Sequence, residues 1–280
     1  MISGENMIYL ENSQIKVGVD LDFGGVITYL SAANNNLNQI NRHDRGRCCQ
    51  GSFYGGPDPY DSCTYMDKPW PWNPIGSGDR YGHSSRVLSH SKTSTSIYIK
   101  TKPLQWACDN VECECEFEKK IWLDEDAVRV QFTLHNHRSD KNDYGKKDQE
   151  LPALYTIGKL GTLTCYTGNK PWTNGGLTVW EHPGFNPWTP GKIQCSEKWA
   201  AFYDEETQFG LGLYSKNNIN FLTGFAGTKN KGGPYDSDTG YIAGLGELDI
   251  KADETYTYEF ALVLGYIKTI RTWVYEQNNH

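Results

Sequence analysis

Apolar and polar residues alternate with a period of two along most of the chain, and the 3.6-residue period of an amphipathic helix is nearly absent. Between Glu112 and Leu123 the odd positions carry Cys113, Cys115, Phe117, Ile121 and Leu123, and the even ones Glu112, Glu114, Glu116 and Glu118. This predicts a strand with one buried face and one solvated acidic face. The run Ala127–His135 buries Val128, Val130, Phe132 and Leu134, and Asp124-Glu125-Asp126 turns between the two, giving a hairpin. Gln14–Asp20 and Gly24–Ser31 predict an earlier pair around Leu21-Asp22-Phe23-Gly24; Arg86–His90 and Thr95–Thr101 predict another. Further strands are expected at Ala153–Ile157, Leu163–Tyr166, Leu177–Glu181, Lys198–Tyr203, Phe209–Tyr214, Ile219–Phe225 and Thr255–Tyr266. Only Thr269–Tyr275 invites a short helix. Many strands with turn signals at roughly 8–12-residue spacing indicate an all-β fold, a large antiparallel β-sandwich with very little helix.

One stretch departs from the alternation. From Asn41 to His83 the chain opens with Arg42, His43, Asp44, Arg45 and Arg47. It then runs through a Gly- and Pro-rich loop bearing Tyr54, Tyr60, Tyr65, Trp70, Trp72 and Tyr81. Loops of this length inside a compact domain are uncommon and usually functional or disordered. The aromatics argue against disorder. Flat aromatic faces beside Asp, Arg and His suit a sugar ring, which offers C–H faces to stack on and hydroxyls to hydrogen-bond. The stretch predicts carbohydrate binding, with Tyr54, Trp70, Trp72, Tyr81 and His83 as contacts.

Composition narrows the alternatives. No linker-like run divides the 280 residues, so residues 1–280 are expected to form one domain. A net charge of −7 argues against nucleic acid. The mean hydropathy of −0.64 and the lack of any apolar run near about 18 residues argue against a membrane. The segment before Gln14 lacks a charged region followed by an apolar one, so the expectation is an extracellular protein whose leader is absent from this chain, with the cytoplasm as the alternative. Eight cysteines permit disulfides in an oxidising compartment or buried thiols, and no C-x-x-C suggests a metal site. No metal and no cofactor are expected.

Four polar clusters could carry chemistry. Arg42–Arg47 could be a salt bridge or a binding site; Gly46 and the aromatic loop favour the site. Gly76–His83 gathers Asp79, Arg80, Tyr81 and His83 in one turn, a chain reversal or a site. Glu150, in Asp148–Pro152, enters a predicted strand where burial would raise its pKa, which makes it the leading acid–base candidate. Trp180–Trp188 holds Glu181, His182 and Asn186 among aromatics. There is no nucleophile elbow, zinc-protease motif, phosphate loop or calcium loop.

The segments Glu11–Asp20 and Gly24–Leu30 resemble the first hairpin of the galactose-mutarotase-like, or supersandwich, superfamily of carbohydrate-active proteins. Gly46-Arg47-Cys48-Cys49-Gln50 resembles the G-R-x-x-N sugar-binding segment of aldose 1-epimerases, with Gln50 replacing Asn. His182-Pro183-Gly184-Phe185-Asn186 is similar to their H-x-Y-F-N segment, which implies a catalytic role for His182. The epimerase H-G-G turn and late catalytic Glu have no clear counterpart. The resemblance implies the fold and sugar binding, and the same fold occurs in polysaccharide lyases and in accessory domains of glycoside hydrolases.

The open aromatic loop favours an enzyme that cleaves a polysaccharide or oligosaccharide. A hydrolase would draw two carboxylates from Glu150, Asp44 and Asp79. A lyase would use Tyr or His as base, with Arg45 or Arg47 on a uronate carboxylate. The alternatives are an aldose 1-epimerase resting on Arg47 and His182, and a non-catalytic carbohydrate-binding protein. A strand from Cys49 to Tyr54 would put Arg47 and Gln50 on opposite faces, so their sharing one site requires an irregularity at Gly46–Cys49.

Overall fold

The computed structural model describes residues 6–61, 63–181 and 186–278. Two large antiparallel sheets pack face to face, as the alternation requires. The ten-stranded sheet runs Met7–Glu11, Ile15–Asp20, Val26–Ala32, Cys49–Ser52, Lys147–Ile157, Thr239–Leu248, Asn220–Ala226, Asn186–Gln194, with the short Pro74–Ile75 and Leu104–Gln105 attached beside Cys49–Ser52. The nine-stranded sheet runs Thr178–Glu181, Thr162–Cys165, Trp199–Tyr203, Phe209–Ser215, Thr255–Tyr266, Ala127–Asn136, Cys115–Asp124, Ser96–Lys102, Arg86–Lys92.

The inward-facing residues of both sheets make the core. Phe53, beside the ten-stranded sheet, packs on Phe117 and Phe132 of the other, with centroids 5.4 and 5.9 Å away, and Phe132 stacks on Tyr258 at 5.2 Å. Offset and tilted ring pairs of this kind add to the gain from burial. The predicted hairpin pairs Asp124 with Ala127 and Phe117 with Leu134. Its acidic face meets the neighbouring strand, where Lys100 reaches Glu116 at 2.7 Å and Glu118 at 3.4 Å.

The strands Met7–Glu11, Asn186–Gln194 and Thr239–Leu248 were not predicted, and the helix is longer than its pattern suggests. The strand Thr239–Leu248 carries Gly240, Gly244 and Gly246, which weaken any strand signal. Gly240 is needed there, since a Cβ would lie 2.6 Å from the Thr156 hydroxyl and 2.7 Å from the Phe202 ring. The helix spans Ile267–Asn278, longer at both ends than its pattern suggests, and lays Ile270, Trp273 and Val274 on the outer face of the nine-stranded sheet against Trp199, Ala201 and Val263. Glu197, fully buried, fastens it: its carboxylate accepts from Arg271 Nε at 3.0 Å and Nη2 at 2.8 Å, and from the Tyr275 hydroxyl at 2.6 Å. Arg271→Leu would strand that carboxylate, so chemical denaturation should show a loss of roughly 3–5 kcal/mol.

Lys119 breaks the alternation by placing an amine among Cys115, Phe117 and Ile121 on the buried face. Its Nζ donates to the carbonyls of Gly25 at 2.8 Å and Gly24 at 3.3 Å. Loss of hydration lowers its pKa from 10.5 to about 7. Between those values the unfolded chain binds the proton that the folded chain has released. Lys119 therefore makes stability rise as pH climbs above about 7. In Lys119→Met that contribution disappears: the melting temperature of the variant relative to the native chain should fall between pH 7 and pH 10. A pH-independent difference would contradict the assignment.

Candidate functional site

The outer face of the ten-stranded sheet carries a polar and aromatic patch at its centre, and one backbone irregularity builds it. Glu150 pairs with Leu245 and Ala153 with Ala243, so three steps along one strand match two along its neighbour. The extra residue lies at Leu151-Pro152, where proline has no N–H to donate to the ladder. Regular alternation would send Glu150 to the face opposite Ala153 and Tyr155. With the bulge, Gln149 and Leu151 point into the core, while Glu150 joins Ala153, Tyr155, Tyr241 and Ala243 on the outer face.

Glu150 is half-buried there, with the hydroxyls of Ser52, Tyr241 and Tyr54 close enough to favour its charged form. Ser52 is its direct cross-strand partner. Burial pushes the Glu150 carboxyl above the usual range, and the three donors pull only partly against that. Tyr155 and Tyr241 stand side by side with ring centroids 4.7 Å apart. Burial, then the charge of Glu150, raises both phenols.

The Arg42–Arg47 segment forms one rim. Cys48 has a φ of 71°, in the left-handed region, and the regular strand starts only at Cys49. The irregularity carries Arg47 out of strand alternation but does not bring it into one site with Gln50, which stays buried. The Arg47 guanidinium donates to the Ser237 carbonyl at 2.9 Å and lies 3.4 Å from Asp44. Tyr155 lies within electrostatic reach of Arg47, Asp44 and Tyr65, which sets this rim beside the Tyr155–Tyr241 floor. The loop Lys229–Gly240 folds onto the same rim: Arg42 N–H bonds Pro234 and Asn41 Nδ2 bonds Asp236 and Asp238.

Aromatic residues continue this rim, with Gly46 packed against the Trp106 ring. Tyr65 sits 5.1 Å from Trp70 and 5.8 Å from Trp106. Trp70 Nε1 donates to Asn73 at 3.2 Å, and Asn73 Nδ2 donates to Ser52 at 3.0 Å, linking the rim to the partners of Glu150. A disulfide, Cys63–Cys108, holds the ribbon Thr64–Tyr65/Lys68–Pro69 to the segment carrying Trp106.

Several sequence candidates are engaged elsewhere. Trp72 is 2% exposed, a core residue against which Gly56 packs, so it presents no face to a ligand. Gln50 is buried with its amide committed: Nε2 donates to the carbonyls of Arg45 and Arg47, and Oε1 accepts from Ser77 N–H. Arg45 donates through Nε and Nη1 to the carbonyls of Gly82, Asp22 and Ser77 and lies 4.2 Å from the Phe23 ring, so most of its guanidinium braces the backbone. Asp79 is 1% exposed and accepts four hydrogen bonds, from Tyr81 N, His83 N, Asn110 N and His83 Nδ1. It organises its own turn. Asp79, His83 and Asp109 bring ligand-type atoms within 4.8 Å of one another, but the oxygens of Asp79 are already spent. Tyr81 is exposed beside Arg80. His182 lies outside the described residues. The structure thus gathers Glu150, Tyr54, Arg47, Asp44 and Trp70 around one surface, and adds Ser52, Tyr155, Tyr241, Tyr65 and Trp106, which sequence reasoning missed. Pro152, just before the predicted strand Ala153–Ile157, is the sequence signal of the bulge.

A separate cavity of about 450 Å³ lies on the other sheet between Leu177, Gln208, Tyr266, Lys268 and the helix. The one guanidinium lining it, Arg271, is held by Glu197 and the Gly175 carbonyl, so the acid–base groups converge at Glu150 instead.

The chain has the galactose-mutarotase-like, or supersandwich, fold. It is similar to a candidate aldose 1-epimerase from Escherichia coli K12 (TM-score 0.55, 10% identity, 93% of this chain and 99% of that one). It is likewise similar to a galactose mutarotase related enzyme from Lactobacillus acidophilus (0.55, 13%, 92% and 97%) and a galactose mutarotase-like protein from Lactobacillus casei (0.54, 13%, 92% and 99%). At these identities the likeness is one of fold. No family model matches the chain, and no curated protein is a recognisable relative in sequence. The expectation of a polysaccharide-cleaving hydrolase or lyase is overturned. These whole-chain neighbours are described as epimerase and mutarotase-like proteins, which favours the alternative reading. The saturated Asp79 also removes one carboxylate that cleavage would have used.

Trp70→Ala should leave the melting temperature near that of the native chain, whereas Trp72→Ala should cost roughly 3–5 kcal/mol in denaturant unfolding. Equal losses would contradict the separation of rim from core.

Proposed function

We propose that the protein interconverts the anomers of an aldose, either a free sugar or the reducing end of a longer saccharide, with Glu150 as the proton-transfer group. Mutarotation needs little machinery. A base takes the proton of the anomeric hydroxyl, the ring oxygen gains a proton, and the bond from C1 to the ring oxygen breaks to give the open-chain aldehyde. Rotation about C1–C2 and reclosure deliver the other anomer. No bond to a second residue forms, so one well-placed carboxylate with hydrogen-bond donors around it is the essential part.

The observation that carries this reading is the placement of Glu150 by the bulge, ringed by the hydroxyls of Ser52, Tyr54 and Tyr241 on an otherwise aromatic surface. The Tyr155 and Tyr241 rings offer a floor for the C–H face of a sugar. Arg47, Asp44 and the Tyr65–Trp70–Trp106 rim offer its boundary, open enough for further sugar units. His182, through its resemblance to the epimerase histidine, is the candidate to protonate the ring oxygen. The mutarotase-like neighbours support the chemistry by analogy of fold.

Polarimetry of freshly dissolved anomers over a panel of hexoses, pentoses and reducing disaccharides tests this directly. Catalysed equilibration of at least one sugar is expected, and no acceleration of any would refute it. Glu150→Gln should lower the catalysed rate roughly 100- to 10,000-fold while sugar affinity stays close to native. As a base, Glu150 must be ionised, and burial raises its pKa. The catalysed rate, corrected for the spontaneous one, should therefore be low in acid and climb through an inflection above the ordinary carboxylate value of 4.5.

A further inference from the structure

Cys165 closes the strand Thr162–Cys165 in the nine-stranded sheet, and Cys195 follows the strand Asn186–Gln194 at the edge of the ten-stranded one. Both are fully buried, and their sulfurs lie 2.8 Å apart. Non-bonded carbons already prefer about 3.5–4.0 Å, and sulfur is larger, so two thiols do not rest at that separation. A second observation, independent of the first, is the disulfide Cys63–Cys108 in the same chain, a bond characteristic of an oxidising environment. We propose that Cys165 and Cys195 are joined in a second disulfide, which ties the edge of one sheet to the other, and that the chain matures in an oxidising compartment.

The chemistry is thiol–disulfide exchange with a disulfide oxidant such as oxidised glutathione. One thiolate attacks the oxidant, forming a mixed disulfide and releasing one glutathione thiolate. The second cysteine then displaces the other glutathione. Two protein thiols become one disulfide, two hydrogens and two electrons pass to the oxidant, and two reduced glutathiones leave. Burial in the finished fold closes the pair to solvent, so exchange takes place during folding. The bond would close a loop of 30 residues' separation, and neighbouring contacts already draw its ends together: Ser196 N–H and hydroxyl reach the carbonyls of Tyr166 and Gly168.

The test is to refold the reduced chain in excess oxidised glutathione, unfold it without reductant, alkylate and map the tryptic peptides. Of the six cysteines outside Cys63–Cys108, four should alkylate: Cys48, Cys49, Cys113 and Cys115. The peptides Leu160–Lys192 and Ile193–Lys198 should travel as one species until reduced. In Cys165→Ala, Cys195 should become alkylated, so the count of free thiols rises from four to five. Free thiols at both positions, a glutathione cap on either, or pairing with another cysteine would overturn the proposal. So would a count that falls from six to five in Cys165→Ala.

Discussion

Between Glu150 and Ala153 the strand Lys147–Ile157 holds one residue more than its neighbour Thr239–Leu248, and the surface chemistry of the ten-stranded sheet follows from that. Without it, the carboxylate would point between the sheets, where an unpaired charge is costly. With it, Glu150 stands on the outer face beside Tyr155 and Tyr241, and the hydroxyls of Ser52 and Tyr54 meet it from the adjoining strand and the residues just beyond. Gln149 takes the inward position instead and receives the Tyr54 N–H at 2.7 Å, so the same bulge fixes the tyrosine whose hydroxyl stands beside Glu150.

The rims are held by groups that never need to touch a ligand. Asp20 and Arg42 form a buried pair at 2.7 Å, and Arg45 and Gln50 gather five backbone carbonyls between them. These side chains brace the turn from which Arg47 and Asp44 project. The disulfide Cys63–Cys108 does the same for the aromatic rim. A site made of long loops thus gains the rigidity that positioning a sugar requires.

The strand pattern was legible because a half-buried strand writes its two faces directly into the sequence, as in Cys115–Asp124 and Thr255–Tyr266. The resemblance of two short segments to the mutarotase-like superfamily added the architecture. What stayed hidden had local causes. Lys119 looks like a polar interruption until its amine is seen to cap two carbonyls, and Thr239–Leu248 is masked by its glycines. Glu150 was found by its context at a strand entrance, but its neighbours Ser52, Tyr54 and Tyr241 come from the two flanking strands and the residues just beyond, whose adjacency no local pattern reveals. Trp70 and Trp72 are two residues apart and chemically alike, yet one lines the rim and the other fills the core, since only the packing of Gly56 decides between them.

A crystal structure of the protein with an aldose that it equilibrates would bear on the central claim most directly. The account predicts the sugar on the Tyr155–Tyr241 floor, with its anomeric oxygen about 2.6–3.2 Å from the Glu150 carboxylate. A sugar bound elsewhere, or one whose anomeric carbon faces away from Glu150, would contradict it.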